Sequence, residues 1–262
     1  MLVSDRANRI VEGDYIKDGL YYCHICHTPK QCVINTSEGP KKRNCLCKCL
    51  LEARDKAEAA ERAAAQFAKR KYAVGQYIYY TFENDDGSQP RYTEGMRRYV
   101  ENFPKYLAGG KGLLLYGPVG TGKTFLAAEV ANALCERYTV YMRNVTYIVN
   151  EIMSAWDTRN DYIDRLTSVD LLIIDDFGAE RKTDAVKEII YQVINSRIES
   201  GLPIILTTNL TADEMKNSTD GDFNRVYSRI AEKCHPILVD GGDRRKQVGR
   251  DAYAEMKEDL GV

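Results

Sequence analysis

The sequence predicts an α/β protein: a parallel sheet of five strands sandwiched between helices, with a small cysteine-bearing module ahead of it. Three observations carry that expectation. A glycine-rich turn with the spacing Gly117-x4-Gly122-Lys123-Thr124 sits between an apolar run and an amphipathic one. Strand-like and helix-like runs then alternate as far as Val239, the pattern of a parallel sheet covered on both faces. Finally, five of the eight cysteines crowd into two short clusters before residue 50.

Composition sets the bounds. A chain of 262 residues, 44% hydrophobic, can hold one α/β domain and a smaller appendage. Its formal net charge of −1 gives no overall basic field, so any nucleic-acid surface must be a local patch. No apolar run is long enough to span a membrane, and Met1-Leu2-Val3-Ser4-Asp5-Arg6 lacks the layout of a secretion signal. The chain therefore reads as cytoplasmic, with its cysteines reduced rather than paired in disulfides.

Residues 1–21 are polar and turn-rich and suggest no element. Cys23-His24-Ile25-Cys26-His27 follows, then a basic, turn-like insert around Ser37 to Arg43, then Cys45-Leu46-Cys47-Lys48-Cys49. A Cys-x2-Cys knuckle answered some twenty residues later by a second cluster has zinc-site spacing. So small a segment buries too little apolar surface to fold alone, and a metal crosslink supplies the deficit. Cys23 and Cys26 are the firm pair. Cys45, Cys47 and Cys49 compete for two places, with His24 and His27 as spares; Cys47 and Cys49 are favoured because Cys49 abuts the next helix. Cys32 reads as a bystander.

From Leu50 to about Tyr72, abundant alanine and the spacings Glu52–Lys56 and Glu58–Arg62 predict a solvated helix with a basic end at Lys69, Arg70 and Lys71. Tyr77 to Phe82 reads as an aromatic-rich extended piece, Asp85 to Pro90 as a loop, and Tyr92 to Leu107 as one helix. Leu113 to Tyr116 is a buried strand leading into the P-loop, and Phe125 onward is its helix. Later strands are expected at Val140–Arg143, Val169–Asp176, Pro203–Thr208 and Pro236–Val239, with helices at Thr146–Trp156 and Thr183–Ile198. Cys135 and Cys234 are read as packed thiols.

The chemistry follows from residue type. Gly117, Pro118, Val119, Gly120, Thr121 and Gly122 form a loop whose N–H groups can curl around phosphate oxygens, and the helix opening at Lys123, Thr124 and Phe125 points its positive end at the same anion. Lys123 offers charge to the β- and γ-phosphates, and Thr124 offers a hydroxyl to Mg²⁺. Leu171 to Asp176 delivers two carboxylates at the end of a buried strand. Asp175 reads as the second Mg²⁺ ligand and Asp176 as the group that orients or activates water. Asn209, after Thr207-Thr208, places an amide near the γ-phosphate. Arg225 and Arg229 lie four apart on one helical face, and either could serve a neighbouring subunit's nucleotide.

Gly117–Thr124, Leu171–Glu180, Thr207–Asn209 and Ser228–Arg229 together resemble the AAA+ ATPases of the DnaC/DnaI helicase-loader and IstB group. Asp18 to Cys23, with Cys47-Lys48-Cys49, is similar to the start of DnaC-like proteins of phages and mobile elements in Gram-positive bacteria. The match covers most of residues 18–245. It implies an AAA+ three-layer sandwich, ATP, Mg²⁺ and Zn²⁺ as cofactors, and ATP hydrolysis that controls delivery of a hexameric DnaB-type replicative helicase onto single-stranded DNA. It also implies sensor 1 at Asn209, an arginine finger at Arg229 and self-association through it. The implied division is a zinc-binding partner-recognition module at 1–50, a helical linker at 51–75, an AAA+ ATPase domain at 76–245 and a tail at 246–262. Alternatives are an IstB-like transposition helper and a nucleotide-binding zinc adaptor with little hydrolysis.

Two departures from the resemblance stand out. Asp176 occupies a place where many AAA+ proteins have Glu, so turnover is expected to be slow, with Glu180 as a second candidate for the role. The sequence also leaves no room for a carboxyl-terminal helical lid, and Arg244 and Arg245 substitute only weakly for the second sensor arginine that lid supplies.

Overall fold

The structure, a computed structural model, describes residues 10–154, 158–178, 183–217, 221–244, 253 and 256–260. The chain divides into two compact units, Met1–Phe67 and Ala68–Val262.

The first unit opens with an antiparallel hairpin, β1 (Tyr15–Lys17) and β2 (Leu20–Tyr22), where no element was expected. Its two-residue turn is Asp18-Gly19, both with positive φ (51° and 75°), the conformation that a tight hairpin turn requires. A second hairpin, β3 (Gln31–Thr36) and β4 (Gly39–Asn44), occupies the stretch read as a basic insert. Helix α1 (Lys48–Val74) begins in this unit and ends in the next. It is exposed along almost its whole length, and its ion pairs, such as Arg62–Glu58 at 3.3 Å, lie in solvent.

The second unit contains a five-stranded parallel sheet: β5 (Gly112–Tyr116), β6 (Val140–Asn144), β7 (Leu171–Asp175), β8 (Ile204–Thr208) and β9 (Cys234–Leu238), in the order β6-β7-β8-β5-β9. Successive strand residues face opposite sides. Leu171 and Ile173 join one apolar cluster with α2 (Pro90–Glu101), α3 (Phe103–Gly109) and α4 (Lys123–Leu134). Leu172 and Ile174 join the other with α5 (Val145–Ser154), α6 (Arg159–Ser168), α7 (Asp184–Glu199), α8 (Ala212–Lys216) and α9 (Gly221–Lys233). The result is the three-layer α/β sandwich that the sequence predicts.

Three details depart from expectation. Residues 77–82 are not extended: a 3₁₀ turn (Gly75–Tyr77) and further turns fold them against α4. The single helix expected over 92–107 breaks into α2 and α3 at Asn102, because Pro104 has no N–H to continue the ladder to Val100. Helix α6 was not anticipated; Trp156, the expected end of the preceding helix, lies outside the described residues.

Arg197 of α7 is fully buried and fixes the amino-terminal ends of two strands. Its guanidinium donates to the carbonyls of Thr167, Val169, Asp170 and Pro203 at 2.6–3.2 Å. Burial lowers its pKa to about 10, so it stays charged at neutral pH and gives four carbonyls at the strand ends a charged donor.

Candidate functional site

In the strand order β8-β5-β9, the chain leaves β5 for the far edge of the sheet and returns on the other side. This is a topological switch point, where open α/β sheets form a crevice at their carboxyl ends. A cavity of about 750 Å³ lies there, lined among others by Gly120, Lys123, Thr124, Asp175, Asp176 and Asn209. Sequence-predicted residues from three different strand ends therefore meet in one place.

The loop backbone requires glycine. Gly117 has φ +140° and a Cβ there would sit 2.4 Å from the carbonyl oxygen of Val239; Gly122, at φ +90°, caps α4. Thr121 is buried and donates to the Pro118 carbonyl at 2.9 Å, whereas Val119 is exposed. Lys123 is 5% exposed, and its ammonium donates to the carbonyls of Gly117 and Pro118, so it is held inside the loop. Phe125 follows in the first turn of α4 and stacks on Tyr80, ring centroids 5.0 Å apart.

Asp175 is buried at the end of β7 and is surrounded by hydroxyls. Its Oδ1 accepts from Thr124 at 2.8 Å and Thr207 at 2.6 Å, and its Oδ2 accepts from Tyr77 at 2.9 Å. A hydroxyl and a carboxylate side by side are hard oxygen donors suited to Mg²⁺. Asp176 has a left-handed backbone (φ 54°), fixed from β8 by its N–H bond to Thr207 Oγ1 at 3.0 Å. Asn144, at the end of β6, donates to Asp176 Oδ2 at 3.4 Å.

Several of these contributors were not singled out from sequence. Tyr77 and Tyr80 line the cavity from a segment read only as aromatic and extended. Asn132 of α4 donates to the carbonyls of Tyr77 and Tyr80, both at 2.9 Å, and so pins that turn to the P-loop helix. Arg244, read from sequence only as a weak substitute for a second sensor arginine, also lines the cavity. It pairs with Asp86 at 2.6 Å, and its backbone N–H bonds to the Gly120 carbonyl at 3.0 Å. The Ser88 hydrogen bonds, helped by Arg244, hold the Asp86 carboxyl at about 2. Arg225 and Arg229 are exposed on α9 and are not among the described residues lining the cavity. Glu180 and Arg245 lie outside the described residues.

A separate cluster forms in the first unit. The sulfurs of Cys23, Cys26, Cys47 and Cys49 all lie within 4.8 Å of one another, with Cys23–Cys49 at 3.7 Å and Cys47–Cys49 at 3.4 Å. Tetrahedral thiolate coordination of zinc places sulfurs ~3.8 Å apart, so the cluster fits that ion. Within the cluster the shifts run both ways: Cys47 and burial push Cys49 up to about 12, whereas the Thr28 hydroxyl first and the Cys49 backbone second bring Cys26 down to about 5. Thr28 ties the two halves, bonding Cys26 Sγ at 3.1 Å and accepting from the Lys48 N–H at 2.9 Å. His24 is instead bonded to Asp14 at 3.1 Å, His27 to Tyr15, and Cys45 Sγ points at the Pro29 carbonyl.

The profile of the IstB-like ATP binding proteins matches residues 50–252. The replicative helicase loader DnaI of Bacillus subtilis is 33% identical over 181 residues, which cover 63% of this chain and 58% of DnaI, less than two thirds of its length. A putative ATP-binding protein of an insertion sequence in Mycobacterium tuberculosis is 28% identical over 212 residues, covering 76% of this chain and 82% of that one. The crystal structure of the DnaC helicase loader superposes with a TM-score of 0.55 at 25% identity, covering 64% of this chain and all of that one. This chain belongs to the IstB-like ATP-binding protein family, is homologous to the DnaI and DnaC helicase loaders, and carries their AAA+ P-loop fold.

Proposed function

We propose that the protein is an ATP-dependent helicase loader, which binds ATP with Mg²⁺ and hydrolyses it to control delivery of a DnaB-type replicative helicase onto single-stranded DNA. The observation that carries the ATPase reading is the meeting of Lys123, Thr124, Asp175 and Asp176 in one cavity at the switch point of the sheet. In this reading the backbone of Gly117 to Gly122 and the first turn of α4 hold the phosphates, and Lys123 supplies the charge they need. Thr124 and Asp175 hold Mg²⁺, which when bound neutralises the developing charge on the phosphates. Asp176 orients the attacking water, and Asn209, exposed at the end of β8, senses the γ-phosphate. Arg229, exposed on α9, acts across a contact with a second subunit as the arginine finger.

Residues 1–50 serve as the partner-recognition module, with Zn²⁺ held by Cys23, Cys26, Cys47 and Cys49. Residues 51–75 link it to the ATPase domain at 76–245, followed by a tail at 246–262. Among the described residues no helix is long and apolar enough to cross a membrane, in keeping with a cytoplasmic site of action.

The test is ATP turnover by the full chain with and without single-stranded DNA, together with capture of the replicative helicase in ATP. Turnover abolished by Asp176→Asn, and helicase captured only by protein with the four cysteines intact, is the expected result. Unchanged turnover in Asp176→Asn takes the water-orienting role away from Asp176, and a wild type with no turnover above background leaves a nucleotide-binding adaptor. A transposition-helper role has one specific observation in its favour, the insertion-sequence relative aligned over 76% of this chain. Capture of a transposase in place of the helicase would establish it.

A further inference from the structure

Asp175 receives two hydroxyls that its own surroundings explain. Thr124 belongs to the P-loop helix, and Thr207 to the neighbouring strand β8. Its third donor, Tyr77, comes from 98 positions earlier in the chain, ahead of α2, and reaches the other carboxylate oxygen at 2.9 Å. The Tyr77 ring is buried in the apolar cluster on the P-loop side of the sheet, so the hydroxyl is delivered by a rigid body. Burial first, and the neighbouring Asp175 carboxylate second, raise its pKa well above the ordinary phenol range, so it remains a donor.

The backbone around Tyr77 is equally fixed. Asn132 bonds the carbonyls of Tyr77 and Tyr80 and, at 3.0 Å, that of its own helix at Ala128. The turn is thereby fastened to α4, the helix that carries Lys123 and Thr124 at its start. At its far end Tyr80 stacks on Phe125. One short turn thus touches the cation-side carboxylate with one tyrosine and walls the cavity with the other.

We infer that Tyr77 is a positioning residue for the divalent cation: its hydroxyl occupies Asp175 Oδ2, stops the carboxylate from rotating, and keeps Oδ1 turned toward Thr124. This rests on the nucleotide-site reading above and adds to it a dependence of cation affinity on the seating of the 77–80 turn. Partners that orient a metal-binding carboxylate typically change metal affinity by 10–100-fold when removed.

The experiment uses the full chain and the Tyr77→Phe variant, which keeps the buried ring and loses only the hydroxyl. Binding of a fluorescent N-methylanthraniloyl ATP is measured in EDTA and then across a MgCl₂ titration. Tyr99→Phe is the control, since Tyr99 is a buried tyrosine of the same cluster whose hydroxyl bonds the Lys111 carbonyl at 2.9 Å instead. Tyr77→Phe is expected to bind the analogue normally in EDTA but to need about tenfold more MgCl₂ for half-maximal response, while Tyr99→Phe tracks wild type. Asn132→Ala, which unfastens the turn, shifts the MgCl₂ midpoint in the same direction and serves if Tyr77→Phe fails to fold. An unchanged midpoint in Tyr77→Phe, or an equal shift in Tyr99→Phe, overturns the inference. A wild-type protein whose binding ignores MgCl₂ would overturn the underlying reading of the cation site instead.

Discussion

The two units of this chain are held together by different means. In the described part of residues 10–67, only Cys23, Lys30 and Cys47 are buried, and the side chains of Ile16 and Ile25 are more than 60% exposed. Beyond residue 68, two apolar clusters cover both faces of a five-stranded sheet. The first unit has four thiols and one buried ion pair, Lys30–Asp14 at 2.6 Å, where the second has a core. Burial raises the Asp14 carboxyl, but bonds from Lys30, the Val11 N–H and His24 outweigh it and leave it well below the ordinary carboxylate range. A fold of the first kind depends on what its polar groups bind, and one of the second kind on apolar area.

The largest expected effect breaks the comparison at its weaker side. Metal analysis should find about one zinc per chain, and removing it with a chelator, or through Cys23→Ser with Cys26→Ser, should unfold the first unit. Structural zinc is worth on the order of 10 kcal/mol in small domains. The thermal transition of the second unit should not move; if both units lose structure together, the contrast drawn here is wrong. Next is Arg197→Ala, which removes the charged donor shared by four carbonyls at the strand ends. A loss of about 3–5 kcal/mol in denaturant unfolding of the second unit is expected, and a loss under about 1 kcal/mol would show that those carbonyls find other partners.

A smaller effect concerns Glu129 on α4, which is fully buried with neither carboxylate oxygen hydrogen-bonded. Burial, then the nearby Asp85, push its carboxyl up to about 8 against the opposing pull of Arg97 and Arg244, with Glu83 adding to the rise. The folded state therefore keeps a proton that the unfolded chain releases near pH 4.5. Stability falls as pH rises between those two values, by up to ~1.4 kcal/mol per unit, and levels off above about 8. Glu129→Gln should flatten that slope in urea melts between pH 5 and 9; an unaltered slope would assign it elsewhere. The smallest effect is on the exposed helix α1, where Arg62→Ala removes the Glu58 pair and should change stability by less than about 0.5 kcal/mol.

What could be read in advance follows the same division of causes. The P-loop, the Asp175-Asp176 strand end and the Cys-x2-Cys knuckle are local patterns, in which neighbouring residues impose the backbone that the chemistry uses. Asn209 at the end of β8 was legible for the same reason. Tyr77, Asn132 and Asn144 were not, because each acts through a partner that only the folded sheet brings near: Asp175, the 77–80 turn and Asp176. Arg244 was named only as a weak substitute for a sensor arginine, and its pairing with Asp86 was not foreseen. The β1–β2 hairpin is a different case. Asp18-Gly19 is a strong local turn signal, but the strands it joins are three residues each and show no alternation to draw attention to it. The break at Asn102 was likewise foreshadowed by Pro104.

The central claim is that the cavity at the end of β5 holds a nucleoside triphosphate by its phosphates. It is tested most directly by titrating ATP into the full chain and into Lys123→Ala with MgCl₂ present, following heat or analogue fluorescence. Saturable binding by the wild type and a loss of at least about 100-fold in the variant, about 2.7 kcal/mol, is the predicted result. Equal affinity in the two proteins would contradict it.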